Sequence, residues 1–115
     1  MIERYRVYRV EVDPVTGSGA AKTRPALVIS DDDMNRRLQT VVVCPVTSRL
    51  HPRWPSRVQT TVAGRRVEIA VDQVRTVARE RLREELGPID DEAAATVRHV
   101  ITDMYGLLSV AGPDA

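Results

Sequence analysis

Phenylalanine is absent from this chain of 115 residues, and its aromatic side chains are Trp54 and three tyrosines, Tyr5, Tyr8 and Tyr105. Such a set excludes a base-stacking platform of several aromatics, the device of the common single-strand RNA modules. Cysteine is as scarce: Cys44 stands alone inside an apolar run, where it reads as a small buried hydrophobe rather than a nucleophile. With one Cys and two distant histidines, His51 and His99, the chain lacks zinc-ligand spacing. It also lacks a glycine-rich phosphate loop, so neither metal nor cofactor is expected. No apolar run is long enough to cross a bilayer and no secretory pattern is present. The expectation is a soluble, reduced, cytoplasmic protein without a membrane partner. Lys22 is the only lysine, so part of the arginine content reflects composition, and the positions of the arginines weigh more than their number.

The length predicts one domain over residues 1–110 with a frayed tail over 111–115. A net charge of +1 conceals segregation: residues 1–33 sum to −1, residues 34–83 to +8 and residues 84–115 to −6. A basic middle is compatible with a polyanion partner, because arginines that neutralise phosphates release condensed counterions. The plain alternative is a solvated surface of mixed charge.

The run Arg24-Pro25-Ala26-Leu27-Val28-Ile29-Ser30 organises the chain. Proline pushes the residue before it into an extended conformation, so Arg24 is expected at a strand entrance, with a strand over 26–29 buried on both faces. Alternation predicts an earlier strand over 7–12, and the small, glycine-bearing stretch over 15–21 a flexible loop. Asp31 to Asp33 supply a cap and first-turn acids for a short helix to about residue 37. Residues 40–47 read as a central strand, with Pro45 limiting pairing near its far end, and Thr47-Ser48-Arg49 emerge there together. A hairpin of 57–62 and 67–71 across Ala63-Gly64-Arg65 is expected next, then a strand over 73–77 and a break at Gly87-Pro88. Asp90-Asp91 cap a final helix with Val97, Val100, Ile101, Met104, Leu107 and Leu108 on one face. The sum is an α+β domain on a small, strongly bent antiparallel sheet, with a short inserted helix and a C-terminal amphipathic helix.

Three stretches resemble one family, the MazF/PemK toxins of toxin–antitoxin pairs. They are Val10-Glu11-Val12-Asp13-Pro14 through Gly17-Ser18 to Arg24–Ser30, then Val42-Val43-Cys44-Pro45-Val46-Thr47-Ser48, then Asp72-Gln73-Val74-Arg75-Thr76. Arg79-Glu80-Arg81-Leu82 and Leu86-Gly87 agree in type and order, so the resemblance spans roughly residues 4–108. It implies an SH3-like barrel, a homodimer, and metal-independent cleavage of single-stranded RNA by the neighbouring 2′-hydroxyl, leaving 2′,3′-cyclic phosphate and 5′-hydroxyl ends. It also implies a cognate antitoxin, with operator DNA bound only through the antitoxin complex.

The family's catalytic arginine falls on Arg24 and its catalytic threonine on Thr47. A guanidinium offers paired donors to phosphate oxygens and stays protonated, so Arg24 is assigned mainly to charge stabilisation, with leaving-group assistance as a second role, rather than to base work. The alternatives are a surface ion pair of Arg24 with Asp13 or Asp31, and a strand-end cap at Thr47. Gln73, Arg75 and Arg81 match positions along the RNA path; Ser48 and Arg49 adjoin Thr47; Lys22 and Arg53 are added on charge and position. Asp72 is expected to orient Arg75 or a turn. Two departures stand out. Gly17-Ser18-Gly19 replaces the usual Gly-Ser-Glu or Gly-His-Glu, and Tyr5-Arg6 replaces Gly-Asp. The missing loop acid implies a slower enzyme, altered RNA preference or another proton acceptor, for which His51 is the nearby imidazole. The rival reading is a non-enzymatic toxin of the same barrel, like the gyrase-poisoning CcdB proteins, or a degenerate relative that only binds antitoxin and DNA.

Overall fold

The computed structural model describes residues 1–12 and 22–106. The Gly17-Ser18-Gly19 loop, Leu107 and Leu108 on the last helix, and the tail over 111–115 lie outside the described residues.

Among the described residues, seven strands form one curled antiparallel sheet: β1 (Arg6–Val12), β2 (Lys22–Val28), β3 (Thr40–Thr47), β4 (Arg57–Val62), β5 (Arg65–Ala70), β6 (Arg75–Ala78) and β7 (Leu82–Pro88). Their order is β4-β5-β3-β2-β1-β7, with β6 pairing β3 beside β5. Two helices accompany them, α1 (Asp32–Arg37) and α2 (Asp91–Tyr105). This is the bent antiparallel sheet, inserted helix and terminal helix that the sequence predicts.

Period-two alternation splits the apolar residues between two faces. Val7, Leu27, Cys44, Val46 and Ile69 face α2 and pack with its Ala93, Ala94, Val97 and Val100. Tyr8, Val10, Ala26, Val28, Val41, Val43 and Val77 form a second core on the opposite face. Cys44 is fully buried, and burial pushes its thiol up to about 12, which removes it from nucleophilic chemistry. Asp31 caps α1 by accepting from the Met34 N–H at 2.8 Å, and Asp90 caps α2 by accepting from the Ala93 N–H at 2.7 Å.

β3 is the hinge of the sheet. Along one edge it pairs with β6 from Thr40 to Val43 and with β5 at Val46 and Thr47. Pro45, which has no N–H to donate, stands at this changeover. On its other edge β3 pairs with β2 through Val43↔Val28, Cys44↔Leu27 and Pro45↔Ala26, and no rung is paired beyond.

Five expectations are corrected. Arg24 is not at a strand entrance but is the third residue of β2, opposite Val10, because the β1–β2 ladder runs on to Lys22. Pro25 is tolerated because β2 has lost β3 as a neighbour by that residue. The hairpin turn is only Ala63-Gly64, with φ of +50° and +79°, so β5 begins at Arg65. Residues Val71–Gln73 form a 3₁₀ turn, closed by the Val74 N–H on the Val71 carbonyl, and the strand expected at 73–77 starts at Arg75. Gly87-Pro88 does not break the chain; it lies in β7, held against β1 with two register shifts. Met104, expected on the buried face of α2, is 39% exposed.

Candidate ribonuclease face

Arg24 lies two residues before Ala26 and Thr47 two residues after Pro45, so both follow the last paired rung of β2 and β3 at the same end. Alternation then puts both side chains on the face of the second core. Arg75 joins them, since it pairs with Val43 on that face. Val10, Val12, Ala26, Val43 and Val77 floor a pocket of about 80 Å³, with Arg24, Pro25, Pro45, Arg75 and Glu11, the partner of Arg83, also lining it. Thr47 lies two residues beyond Pro45 and does not line the pocket. A wider cleft of about 340 Å³ lies between the β4–β5 hairpin and the start of α2, but its lining sets Arg57 and Arg66 against Asp90 and Glu92 and gives no excess of cation.

The arginines of β1, α1 and the start of β7 are tied to carboxylates. Arg6 bonds Glu3 and Glu85, Arg9 bonds Glu84, Arg36 and Arg37 bond Asp33, and Arg83 bonds Glu11. Arg24 and Arg75 make no ion pair among the described residues; of the two alternative partners, Asp31 caps α1 instead and Asp13 lies outside the described residues. Lys22, on the same face of β2 two residues before Arg24, is likewise exposed. Thr47 does serve as a strand-end acceptor, receiving the Arg49 N–H at 3.1 Å. That bond uses an oxygen lone pair and leaves the hydroxyl proton to donate.

The other candidates scatter around this centre. Ser48 and Arg49 are exposed directly after Thr47, and Arg53 is exposed in the loop from β3 to β4. Gln73 ends the first 3₁₀ turn and is exposed, two residues before Arg75. Arg81 ends a second 3₁₀ turn (Arg79–Arg81), half-buried beside the β1–β7 ladder.

A buried acid next to Thr47 was not anticipated. Glu68, with no exposed surface, is the cross-strand partner of both Thr47 and Gln59. It accepts from the His51 backbone N–H, from Arg57 Nη1 at 2.7 Å and from Gln59 Nε2 at 2.8 Å, with His51 Nδ1 2.9 Å away. Burial opposes its ionisation, but these donors outweigh it and hold the carboxyl down at about 2. A carboxylate against Nδ1 fixes the proton there and leaves the Nε2 lone pair of His51 available. Of the two expectations for Asp72, Arg75 is not its partner, since Asp72 bonds Arg57 at 2.7 Å and Arg57 lowers its pKa, but Asp72 does sit within the Val71–Gln73 turn. The signal in the sequence is the acid inside the apolar run Val67-Glu68-Ile69, but its partners emerge only from the hairpin register.

Where the family pattern calls for Gly-Asp, Tyr5 takes φ of +66°, the region glycine favours. Arg4 and Arg98 lie over its ring at 4.9 and 5.6 Å, and its hydroxyl is buried without a hydrogen-bond partner among the described residues.

Among the described residues no helix is long and apolar enough to cross a membrane, and no three His, Cys, Asp or Glu side chains converge as metal ligands. Comparison with known proteins closes the question of family. The chain is 29% identical over 115 residues to an Endoribonuclease MazF of Staphylococcus saprophyticus, covering 96% of each chain. It superposes on a MazE-MazF crystal structure from Deinococcus radiodurans with TM-score 0.79 and 26% identity, covering 92% of this chain and 97% of that one. A mycobacterial endoribonuclease in complex with its cognate antitoxin shares the fold at TM-score 0.76 and 21% identity, over 95% and 99% of the two chains. The model of the PemK-like, MazF-like toxins of type II toxin-antitoxin systems matches residues 3–105, and this chain is a member of that endoribonuclease family.

Proposed function

We propose that this toxin cuts single-stranded RNA at short sequences without a metal. The 2′-oxygen bonds to phosphorus as the P–O5′ bond breaks, giving 2′,3′-cyclic phosphate and 5′-hydroxyl ends. The 2′-hydroxyl proton leaves to an acceptor, and the departing 5′-oxygen takes a proton from water, with Arg24 assisting its departure. Arg24 stabilises the charge that develops on the non-bridging oxygens, and Thr47 adds a third donor. With the loop acid replaced by Gly19, the Nε2 of His51 is the proton acceptor, oriented by Glu68 through Nδ1. Lys22, Ser48, Arg49, Arg53, Gln73, Arg75 and Arg81 contact the RNA. The active form is a cytoplasmic homodimer, restrained by an antitoxin whose acidic tail covers the basic face and through which operator DNA is bound.

The observation that carries this reading is the presence of Arg24 and Thr47 on one face, just past the last paired rung of β2 and β3, with no carboxylate bonded to the guanidinium among the described residues. The test is incubation of the purified protein with mixed-sequence RNA in chelator, followed by analysis of the ends. Cyclic phosphate termini are expected. Arg24→Ala and Thr47→Ala each lower the cleavage rate roughly 10²–10³-fold with the fold retained. Intact RNA, or Thr47→Ala toxicity relieved by a gyrase mutation, would instead favour a non-enzymatic toxin.

A further inference from the structure

Trp54 is the only tryptophan of the chain and is 47% exposed, on the loop that leaves Thr47. Exposure of one indole means little by itself. The surroundings of this one are more telling. Its N–H donates to the His51 carbonyl at 3.0 Å and its carbonyl accepts the Arg57 N–H at 3.1 Å, so its backbone is fixed from both sides. The His51 ring stacks on it with centroids 3.9 Å apart and planes 21° apart, and the Arg57 guanidinium carbon lies 4.7 Å from the ring centroid. Arg57 Nη1 and His51 Nδ1 are 3.3 Å apart, too close for groups on opposite faces of an indole. Both therefore support the same face, and both are gripped from behind by buried Glu68. The second face is left to solvent on a rigid mount.

We propose that this open face of Trp54 is a stacking site for one base of the single-stranded RNA, adjacent to the scissile linkage, an inference that rests on the ribonuclease reading. An indole held by an imidazole and a guanidinium presents a flat, preordered π-surface, which any base can cover. Two features select nucleic acid over an apolar peptide as the occupant. Arg49 and Arg53 both precede the indole in its loop, exposed and without a carboxylate partner among the described residues, cations for the phosphates of a strand whose base stacks there. Glu68, the anchor of the mount, is also the cross-strand neighbour of Thr47, so platform and catalytic hydroxyl share one support.

The single tryptophan is its own reporter. A mixed-sequence 2′-O-methyl RNA oligonucleotide, which cannot supply the attacking hydroxyl, is titrated into the protein while its labelled end reports binding by anisotropy. Stacking quenches the indole emission in step with binding. Trp54→Leu, which keeps an apolar side chain but no π-face, weakens binding roughly 5- to 150-fold, and Trp54→Phe restores part of the loss. On a cleavable transcript Trp54→Leu relaxes the preference at one position flanking the cut. Binding with unchanged emission and an unaffected Trp54→Leu variant overturns the stacking site and leaves the nuclease reading standing. Emission that changes only on dilution, or only on adding an antitoxin, assigns the indole to a protein interface and overturns it as well. No binding of RNA by the wild-type protein overturns the nuclease reading itself.

Discussion

Glu68 shows how one side chain sets local chemistry. It accepts from three side chains or rings and a backbone N–H while fully buried, so removing its charge leaves those donors facing one another. Glu68→Leu is expected to cost about 3–5 kcal/mol of unfolding free energy, and Glu68→Gln less, as read from urea unfolding. The pH dependence has a definite sign. A carboxyl held at about 2 in the folded state and near 4.3 when unfolded contributes its full stability above pH ~4.3 and loses it as pH falls towards 2. Asp72, lowered by its bond to Arg57, acts in the same direction. The wild-type protein should therefore lose stability steeply over that acid range, and Glu68→Gln should show a shallower fall that retains the Asp72 part.

At the scale of elements, the β4–β5 hairpin carries a cost that can be relieved. A two-residue turn with positive φ at both positions suits Asn-Gly, yet Ala63 occupies the first at φ of +50°. Ala63→Asn should stabilise the protein by roughly 0.5–1 kcal/mol without altering RNA cleavage, measured by the shift in urea midpoint. Elements with strong local signals were legible from sequence: the Asp31 cap of α1, the unbroken apolar run of β3, the Asp90 cap of α2. β7 was not. Leu82–Pro88 is mostly exposed and charged, and its strand character comes from pairing with β1 and from the Arg6–Glu85 and Arg9–Glu84 bonds. The site divides in the same way. Arg24 and Thr47 stand out because polar groups adjoin apolar strands, whereas the Arg57–Glu68–His51 cluster depends on which residues a two-residue turn brings opposite each other.

Across the whole molecule, charge is sorted by pairing as much as by position. The arginines of β1, α1 and the start of β7 are bonded to carboxylates, whereas Arg24, Arg49, Arg53 and Arg75 have none among the described residues. RNA affinity should accordingly fall with salt with a log–log slope of about −3 if these four each meet a phosphate. Arg75→Ala should lessen that slope by about 0.7, while Arg6→Ala, whose charge is already satisfied by Glu3 and Glu85, should leave it unchanged. Anisotropy titrations over a range of potassium chloride measure both.

The clamp on the loop after Thr47 also bears on speed. A strand of RNA reaching the loop after Thr47 meets a finished surface there, held in place among the described residues before it arrives. Capture is then limited by diffusion and charge steering, and the lifetime of the encounter, not its frequency, becomes the quantity in which one message differs from another.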